Sequence, residues 1–297
     1  MRLYTIEIGK MQKVAIQHPN GKLYPVSEFG MSFADMNDLI DCISDEQLEQ
    51  LKKMVDSENT IIDKVGYGIE DCKICAPIPV PKQDIVCLGV NYEEHMEETR
   101  DIIDFREKKA AVYFSKRVNE AGGQDAQIPN YDFVDSLDYE VELGVILGKD
   151  AKRVSADRSC DVIFGYTIIN DVSARNLQMR HQQWYIGKSL DGYTLMGPCI
   201  VTADELVDVQ NLEISCKVNG ELRQSSNTKY MIQNVANAIS EITQGITLKK
   251  GTIIATGTPG GVGMGMNPPG FLKAGDEVVC EIEGIGVLRN SVQDSEK

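Results

Sequence analysis

The segment Leu137-Asp138-Tyr139-Glu140-Val141-Glu142-Leu143-Gly144-Val145 alternates apolar residues with acids. That period belongs to a β-strand, which places residues i and i+2 on one face. Glu140 and Glu142 then point the same way, with Asp138 on the same face. Carboxylates that close repel one another and rise in pKa unless a cation neutralises them. A second strand-like run, Ile168-Ile169-Asn170-Asp171, also ends in an acid. Glu140, Glu142 and Asp171 together offer oxygen ligands alone, which suit Mg²⁺, Mn²⁺ or Ca²⁺ better than zinc. The same alternation equally describes an amphipathic strand whose acids face water.

Composition narrows the partners. The chain has 297 residues, enough for two domains or one domain with an appendage. A formal net charge of −15 argues against nucleic acid and against anionic membranes, because phosphate binding needs a basic surface. No apolar run reaches the roughly 20 residues of a membrane span. The start, Met1-Arg2-Leu3-Tyr4-Thr5-Ile6-Glu7, lacks the apolar stretch of a signal peptide. The expected location is the cytoplasm. The 8 cysteines are scattered, some within apolar runs such as Ile85-Val86-Cys87-Leu88, as suits reduced, buried thiols. Cys72 and Cys75 form a CxxC, but with no second pair and 3 histidines in the chain, packed thiols are expected there rather than zinc.

Residues 1–76 read as a small α+β unit: strand-like pieces at 3–6 and 13–16, then one helix over 36–55 with apolar residues at Leu39, Ile40, Ile43, Leu48 and Leu51. Pro77-Ile78-Pro79-Val80-Pro81 stiffens the backbone and marks a domain boundary. Residues 77–297 hold strands at 84–90, 112–114, 139–147, 164–169, 252–255 and 277–288. Shorter helices are expected at 155–162 with Ser155 as N-cap, from Ser173 through Gln178, and over 231–243 ending at Gly245. Asn219-Gly220 is a hairpin signature. Strands outnumber helices without regular βαβ spacing, so the fold class is α+β: a rolled, mixed β architecture with a small N-terminal α+β domain.

Three further constellations could carry chemistry. In Gly89-Val90-Asn91-Tyr92-Glu93-Glu94-His95-Met96-Glu97-Glu98 a strand gives way to a helix. On that helix His95 and Glu98 lie three apart and can touch, which builds a base able to activate water; an exposed polar face has the same spacing. Residues 91–109 are dense in charge and poor in core anchors, which predicts a lid that is poorly ordered without ligand. Gly187-Lys188-Ser189 places a lysine in a glycine-flanked loop, where its ammonium can meet a developing enolate or carboxylate. Ala255-Thr256-Gly257-Thr258-Pro259-Gly260-Gly261-Val262-Gly263 is a glycine-rich turn after a strand. It lacks the terminal Gly-Lys-Ser/Thr of a phosphate loop, and Asn267-Pro268-Pro269-Gly270 stands where the amphipathic helix would be.

Four of these motifs, in this order, resemble the fumarylacetoacetate hydrolase superfamily: Asp138-Tyr139-Glu140-Val141-Glu142-Leu143-Gly144, Asn170-Asp171-Val172-Ser173-Ala174-Arg175-Asn176-Leu177-Gln178, Gly187-Lys188-Ser189 and Thr256-Gly257-Thr258-Pro259-Gly260-Gly261-Val262-Gly263. The resemblance runs from about Pro77 to the C-terminus. It implies a mixed β-roll catalytic domain, a homodimer, and Mg²⁺ or Mn²⁺ held by Glu140, Glu142 and Asp171. His95 and Glu98 match the dyad of related acylpyruvases, and Lys188 matches the active-site lysine. Arg175 and Gln178 match positions lining the substrate pocket, and Thr258 matches a threonine near the substrate carboxylate. The side chains that recognise fumarylacetoacetate itself are not recognisable here. The smaller bacterial members, among them oxaloacetate decarboxylases, hydroxymuconate isomerases and diketo-acid hydrolases, look closest.

The shared chemistry is a 2-oxo acid that becomes an enolate beside a Lewis-acidic ion. Cleavage of a C–C bond in a small 2-oxo dicarboxylate or 3-acylpyruvate is the expected reaction, by acylpyruvate hydrolysis or oxaloacetate decarboxylation. Isomerisation by proton movement alone is the alternative. A metal-binding module without catalysis, or a scaffold docking partners through residues 1–75, would not require His95 and Lys188.

Overall fold

The acid-bearing segment folds into the strand Val141–Leu147, in the middle of a ten-stranded mixed sheet. The computed structural model describes residues 1–99, 110–206 and 208–295. All 7 residues of this strand are buried, Glu142 among them. Both faces are covered, so the acids do not form a solvated edge. Val141, Leu143, Val145 and Leu147 pack with Ile214, Val278, Ile282 and Leu288 of a second, five-stranded sheet. Ile146, on the opposite face with Glu142, packs with Met36, Leu39 and Ile40 of the N-terminal region.

Register delivers the second acid. Ile163–Asp171 runs antiparallel to Val141–Leu147, pairing Ile169 with Glu142 and Asn170 with Val141. Asp171 N then donates to the Glu140 carbonyl at 2.9 Å. On the other side Ile253–Ala255 pairs antiparallel with the central strand and parallel with Ile85–Gly89. The glycine-rich turn after Ala255 and the helix entered after Gly89 therefore leave the sheet at one end, where the acids lie. Val112–Lys116 closes that edge against Ile85–Gly89.

The N-terminal strands belong to the same sheet. Arg2–Ile8 pairs with Thr194–Thr202, with Leu3 opposite Ile200, and Met11–Gln17 and Leu23–Pro25 continue outward. Sheet hydrogen bonding thus crosses the position of the proline cluster.

Several element boundaries differ from the sequence reading. The single helix expected over 36–55 is two, Met36–Cys42 and Asp45–Val55. Ser44 Oγ accepts from Gln47 N while the Gln47 side chain accepts from Ser44 N, a capping box that restarts the helix after an extended Ile43. Apolar spacing carries straight through that break. Ser173-Ala174 pairs with Leu137–Asp138 and delays the expected helix to Arg175–Arg180. The 231–243 helix starts at Val235, behind Asn234 as its cap. Residues Ala156–Val162 form a 3₁₀ helix, and the Ser155 side chain makes no cap bond. The Asn219-Gly220 hairpin forms as expected, with φ of 51° and 79°.

Glu93–Thr99 is helical. Of the mobile lid expected over 91–109, residues 91–99 are described, with Asn91, Tyr92, His95 and Thr99 buried, and residues 100–109 lie outside the described residues. No helix among the described residues is long and apolar enough to cross a membrane. All 8 cysteines are unpaired.

Candidate active site

Glu140, Glu142 and Asp171 meet as the strand registers dictate. One oxygen from each lies within 4.8 Å of the others. Their residues are 4%, 1% and 0% exposed, which removes water as the neutralising agent. Glu140 sits just before the central strand rather than in it, and the main-chain bond from Asp171 N holds it at the edge. Asp138, which the alternation places on the same face, has another task. It accepts from Arg175 Nε at 2.8 Å, Gly263 N at 2.7 Å, Met264 N at 3.0 Å and Tyr139 N at 3.0 Å.

Two cations are inserted among the acids. Lys188 Nζ lies 2.5 Å from Glu140 Oε2 and 2.7 Å from Asp171 Oδ2. Arg175 pairs with Glu140 Oε1 at 2.7 Å as well as with Asp138, and donates to Gln178 Oε1 at 3.0 Å. Burial works against the Glu140 anion, yet Lys188 and Arg175, helped by His95, outweigh it and hold the carboxyl at about 2. Burial also disfavours the charge on Lys188, but Asp171 and Glu140 raise its pKa above the ordinary lysine value. Glu142 is the contrast. Gly257 N donates to its Oε2 at 2.8 Å, and among the described residues no lysine or arginine pairs with it. Burial, with Asp171 and Glu140 nearby, pushes its carboxyl well above the usual range. A crowded acid without a cation is the mark of a site built around a further positive charge.

His95 Nδ1 and Glu98 Oε1 are 2.7 Å apart, as the helical spacing predicted, and Gly261 N donates to Glu98 Oε2 at 2.8 Å. Thr258 Oγ1 donates to the Val141 carbonyl at 2.9 Å and accepts from Gln224 Nε2 at 2.7 Å. One pocket is lined by Glu140, Glu142, Arg175, Gln178, Lys188, His95 and Thr258 on its polar side. Leu88, Phe114, Trp184 and Met264 form the apolar side, with Phe114 and Trp184 edge to face at 5.1 Å. Eight of the nine site residues expected from sequence thus line one pocket or, as for Asp171, bond directly to its walls, and Glu98 joins them through His95.

Sequence reasoning passed over two residues. Lys116, 1% exposed, donates to Asp171 Oδ1. Gln224, 0% exposed, accepts from Val141 N at 3.1 Å and donates to Thr258 and to the Pro259 carbonyl. Both sit in short strands where a polar residue is ordinary, and the contacts that give them meaning are long-range.

Residues 84–293 match the family model described as Fumarylacetoacetate (FAA) hydrolase C-terminal. The chain belongs to the fumarylacetoacetate hydrolase family. Within that family it is 39% identical over 259 residues to oxaloacetate tautomerase YisK of Bacillus subtilis, an alignment covering 86% of either chain. Its fold superposes with a TM-score of 0.84 on fumarylacetoacetate hydrolase from Exiguobacterium antarcticum, at 33% identity over 99% of this chain and 100% of that one. A 5-carboxymethyl-2-hydroxymuconate delta-isomerase from Mycobacterium smegmatis follows at TM-score 0.76 and 28% identity, with 100% of both chains covered. The α+β class with mixed sheets, expected from the sequence, is the fold of this family.

Proposed function

We propose that the chain is a divalent-metal-dependent enzyme that forms the enolate of a small 2-oxo acid. Its first reading is keto–enol tautomerisation of an oxaloacetate-like dicarboxylate. One observation carries the proposal: the acid triad, Lys188 and the His95–Glu98 pair meet in a single pocket.

Charge supports a metal there. With every carboxylate ionised, the four buried acids (Asp138, Glu140, Glu142, Asp171) would exceed the three buried cations (Lys116, Arg175, Lys188) by one negative charge. That excess pushes Glu142 toward its protonated form in the absence of a further cation. Mg²⁺ or Mn²⁺ held by Glu140, Glu142 and Asp171 would turn the excess into one positive charge, matched by one substrate carboxylate. When bound, such an ion supplies Lewis acidity to a carbonyl oxygen. Lys188 adds a fixed positive charge beside that oxygen as it becomes negative. His95, with Nδ1 held by Glu98, uses Nε2 to take the proton from the carbon next to the carbonyl. The C–H electron pair becomes the new C=C bond as the C=O π pair moves onto the carbonyl oxygen, and the same ring delivers the proton to that oxygen, leaving the ring neutral again. Arg175 and Gln178 hold the acid end of the substrate, with Thr258 lining that end while its hydroxyl stays donated to the Val141 carbonyl. The Phe114–Trp184 wall excludes water from the reacting carbon.

The relative named as an oxaloacetate tautomerase favours tautomerisation, which needs proton movement alone. C–C cleavage is the second reading, because the same His95–Glu98 pair can draw a proton from water instead of carbon. A homodimer in the cytoplasm, with residues 1–76 as an accessory domain, completes the proposal. The test follows enol loss from oxaloacetate, and pyruvate release from oxaloacetate and acetylpyruvate, with Mg²⁺ or Mn²⁺. Wild type, Glu140→Ala, Lys188→Ala and His95→Asn are compared. Enol loss outpacing pyruvate release supports tautomerisation, and the reverse supports cleavage. Wild-type rates in both Glu140→Ala and Lys188→Ala would refute the mechanism.

A further inference from the structure

Lys116 takes no part in the steps above, yet it is one of the most deeply buried charges in the protein, 1% exposed. It ends the strand Val112–Lys116 and does not line the pocket. Its ammonium meets Oδ1 of Asp171, the Val172 carbonyl at 3.1 Å and the Tyr193 carbonyl at 2.6 Å. A lysine has three N–H donors. All three are committed, two of them to main chain, so this cation has nothing left for a substrate and cannot turn away from Asp171 without leaving carbonyls unpaired.

Lys188, on the other oxygen of the same carboxylate, is held differently. Its ammonium bonds Glu140 Oε2 and Asp171 Oδ2, both on side chains of the candidate ligands, and it lies 5.3 Å from the Phe114 ring centroid within the pocket. Those bonds can be redirected when another cation arrives. At each acid one oxygen is taken by a group other than Lys188. Arg175 takes Oε1 of Glu140, Gly257 N takes Oε2 of Glu142 and Lys116 takes Oδ1 of Asp171. Every carboxylate of the triad has one oxygen engaged by a group that also anchors elsewhere in the protein.

We propose that Lys116 is a positioning residue that reserves Oδ1 of Asp171, so that Asp171 offers an ion one oxygen and the site selects Mg²⁺ or Mn²⁺ over Ca²⁺. The inference rests on the metal-dependent reading above. Its physical basis is coordination number. Ca²⁺ takes six to eight oxygens and readily uses both oxygens of a carboxylate, whereas Mg²⁺ requires a tight octahedron and keeps waters. Releasing Oδ1 adds a ligand that the larger ion can use and the smaller one cannot.

The test titrates Mg²⁺, Mn²⁺ and Ca²⁺ calorimetrically into metal-free full-length wild type and Lys116→Met. Wild type is expected to bind Mg²⁺ and Mn²⁺ more tightly than Ca²⁺. Losing a positive charge raises the affinity for every divalent ion, and a looser fold lowers them all, so the ratio is the readout. In Lys116→Met the preference for Mg²⁺ over Ca²⁺ falls by about 10-fold, the scale of an outer-shell change. If that variant fails to fold, Lys116→Gln gives the same readout. An unchanged ratio, with wild type binding metal, overturns this inference alone. No uptake of any of the three ions by wild type overturns the metal-dependent reading and this inference together.

Discussion

The main-chain N–H of Gly261 donates to Oε2 of Glu98 at 2.8 Å, while Oε1 of the same carboxylate holds Nδ1 of His95 at 2.7 Å. Gly261 belongs to the turn that also sends Gly257 N to Glu142 and Gly263 N and Met264 N to Asp138. The glycine-rich turn therefore presents its amides to three carboxylates, the task a phosphate loop performs for an anion in solution.

Gly261 can do this only as glycine. Its φ is +98°, and a Cβ would fall 1.9 Å from the Arg223 carbonyl oxygen. Gly261→Ala is expected to displace the turn, free Glu98 and lower kcat by about 100-fold, the scale of a 1 Å misplacement. Mn²⁺ uptake should survive. Steady-state kinetics beside a Mn²⁺ titration checks both halves; unchanged kcat would count against the Gly261–Glu98 link.

Glu142→Gln should move stability and function in opposite directions. With Glu140 and Asp171 within 4.8 Å, Glu142 adds repulsion to the metal-free site. Two charges at 4 Å repel by about 1 kcal/mol at the dielectric of water and about 4 kcal/mol at an effective value of 20. Burial and those neighbours already favour the protonated form of Glu142, so the gain is expected near the lower figure. Melting in EDTA should rise slightly. Mn²⁺ affinity should drop by more than the roughly 10–100-fold of an outer-shell change. A variant that still binds Mn²⁺ like wild type removes Glu142 from the ligand set.

Asp138→Asn tests the opposite kind of acid. Asp138 is 0% exposed and neutralises half of Arg175 while accepting three main-chain bonds. Breaking a buried ion pair from one side costs about 3–5 kcal/mol. Urea unfolding should report a loss of that order, with Mn²⁺ affinity of the folded variant changed by less than about 10-fold. A larger change in Mn²⁺ binding would make Asp138 part of the metal site itself.

Ser44→Ala probes the break between the first two helices. Its hydroxyl accepts from Gln47 N at 3.1 Å. Losing an N-cap of this type costs about 1 kcal/mol, and the same unfolding experiment should detect it. No loss would mean that the Ile43–Ser44 break is imposed by packing alone.

Much of this protein was legible before its fold. Alternation named Glu140 and Glu142, but a bond from Asp171 N holds Glu140, which lies just before the strand. The three-residue step from His95 to Glu98 is a local period that helix geometry turns directly into proximity. The Asn219-Gly220 hairpin is legible for the same reason: two positive φ angles are a property of those two residues. Local pattern failed where another contact competed. Apolar spacing ran through Ser44, and Ser173-Ala174, which resembled a helix start, was taken up in pairing with Leu137–Asp138.

The sequence by itself named the acids and put His95 within reach of Glu98, because residue type and short spacing carry those, and four motifs in order carried the resemblance to the family. Only the tertiary structure decided which acid serves which purpose. Asp138 and Glu140 lie two residues apart, yet one anchors Arg175 and the glycine turn while the other joins Glu142 and Asp171. Lys116 and Lys188 are both buried against Asp171 from distant strand and helix, one fixed by main-chain carbonyls and the other open to the pocket. The charge of a side chain is written in its residue type, but its partners are set by sheet register and burial, which bring together segments 55 residues apart in the chain.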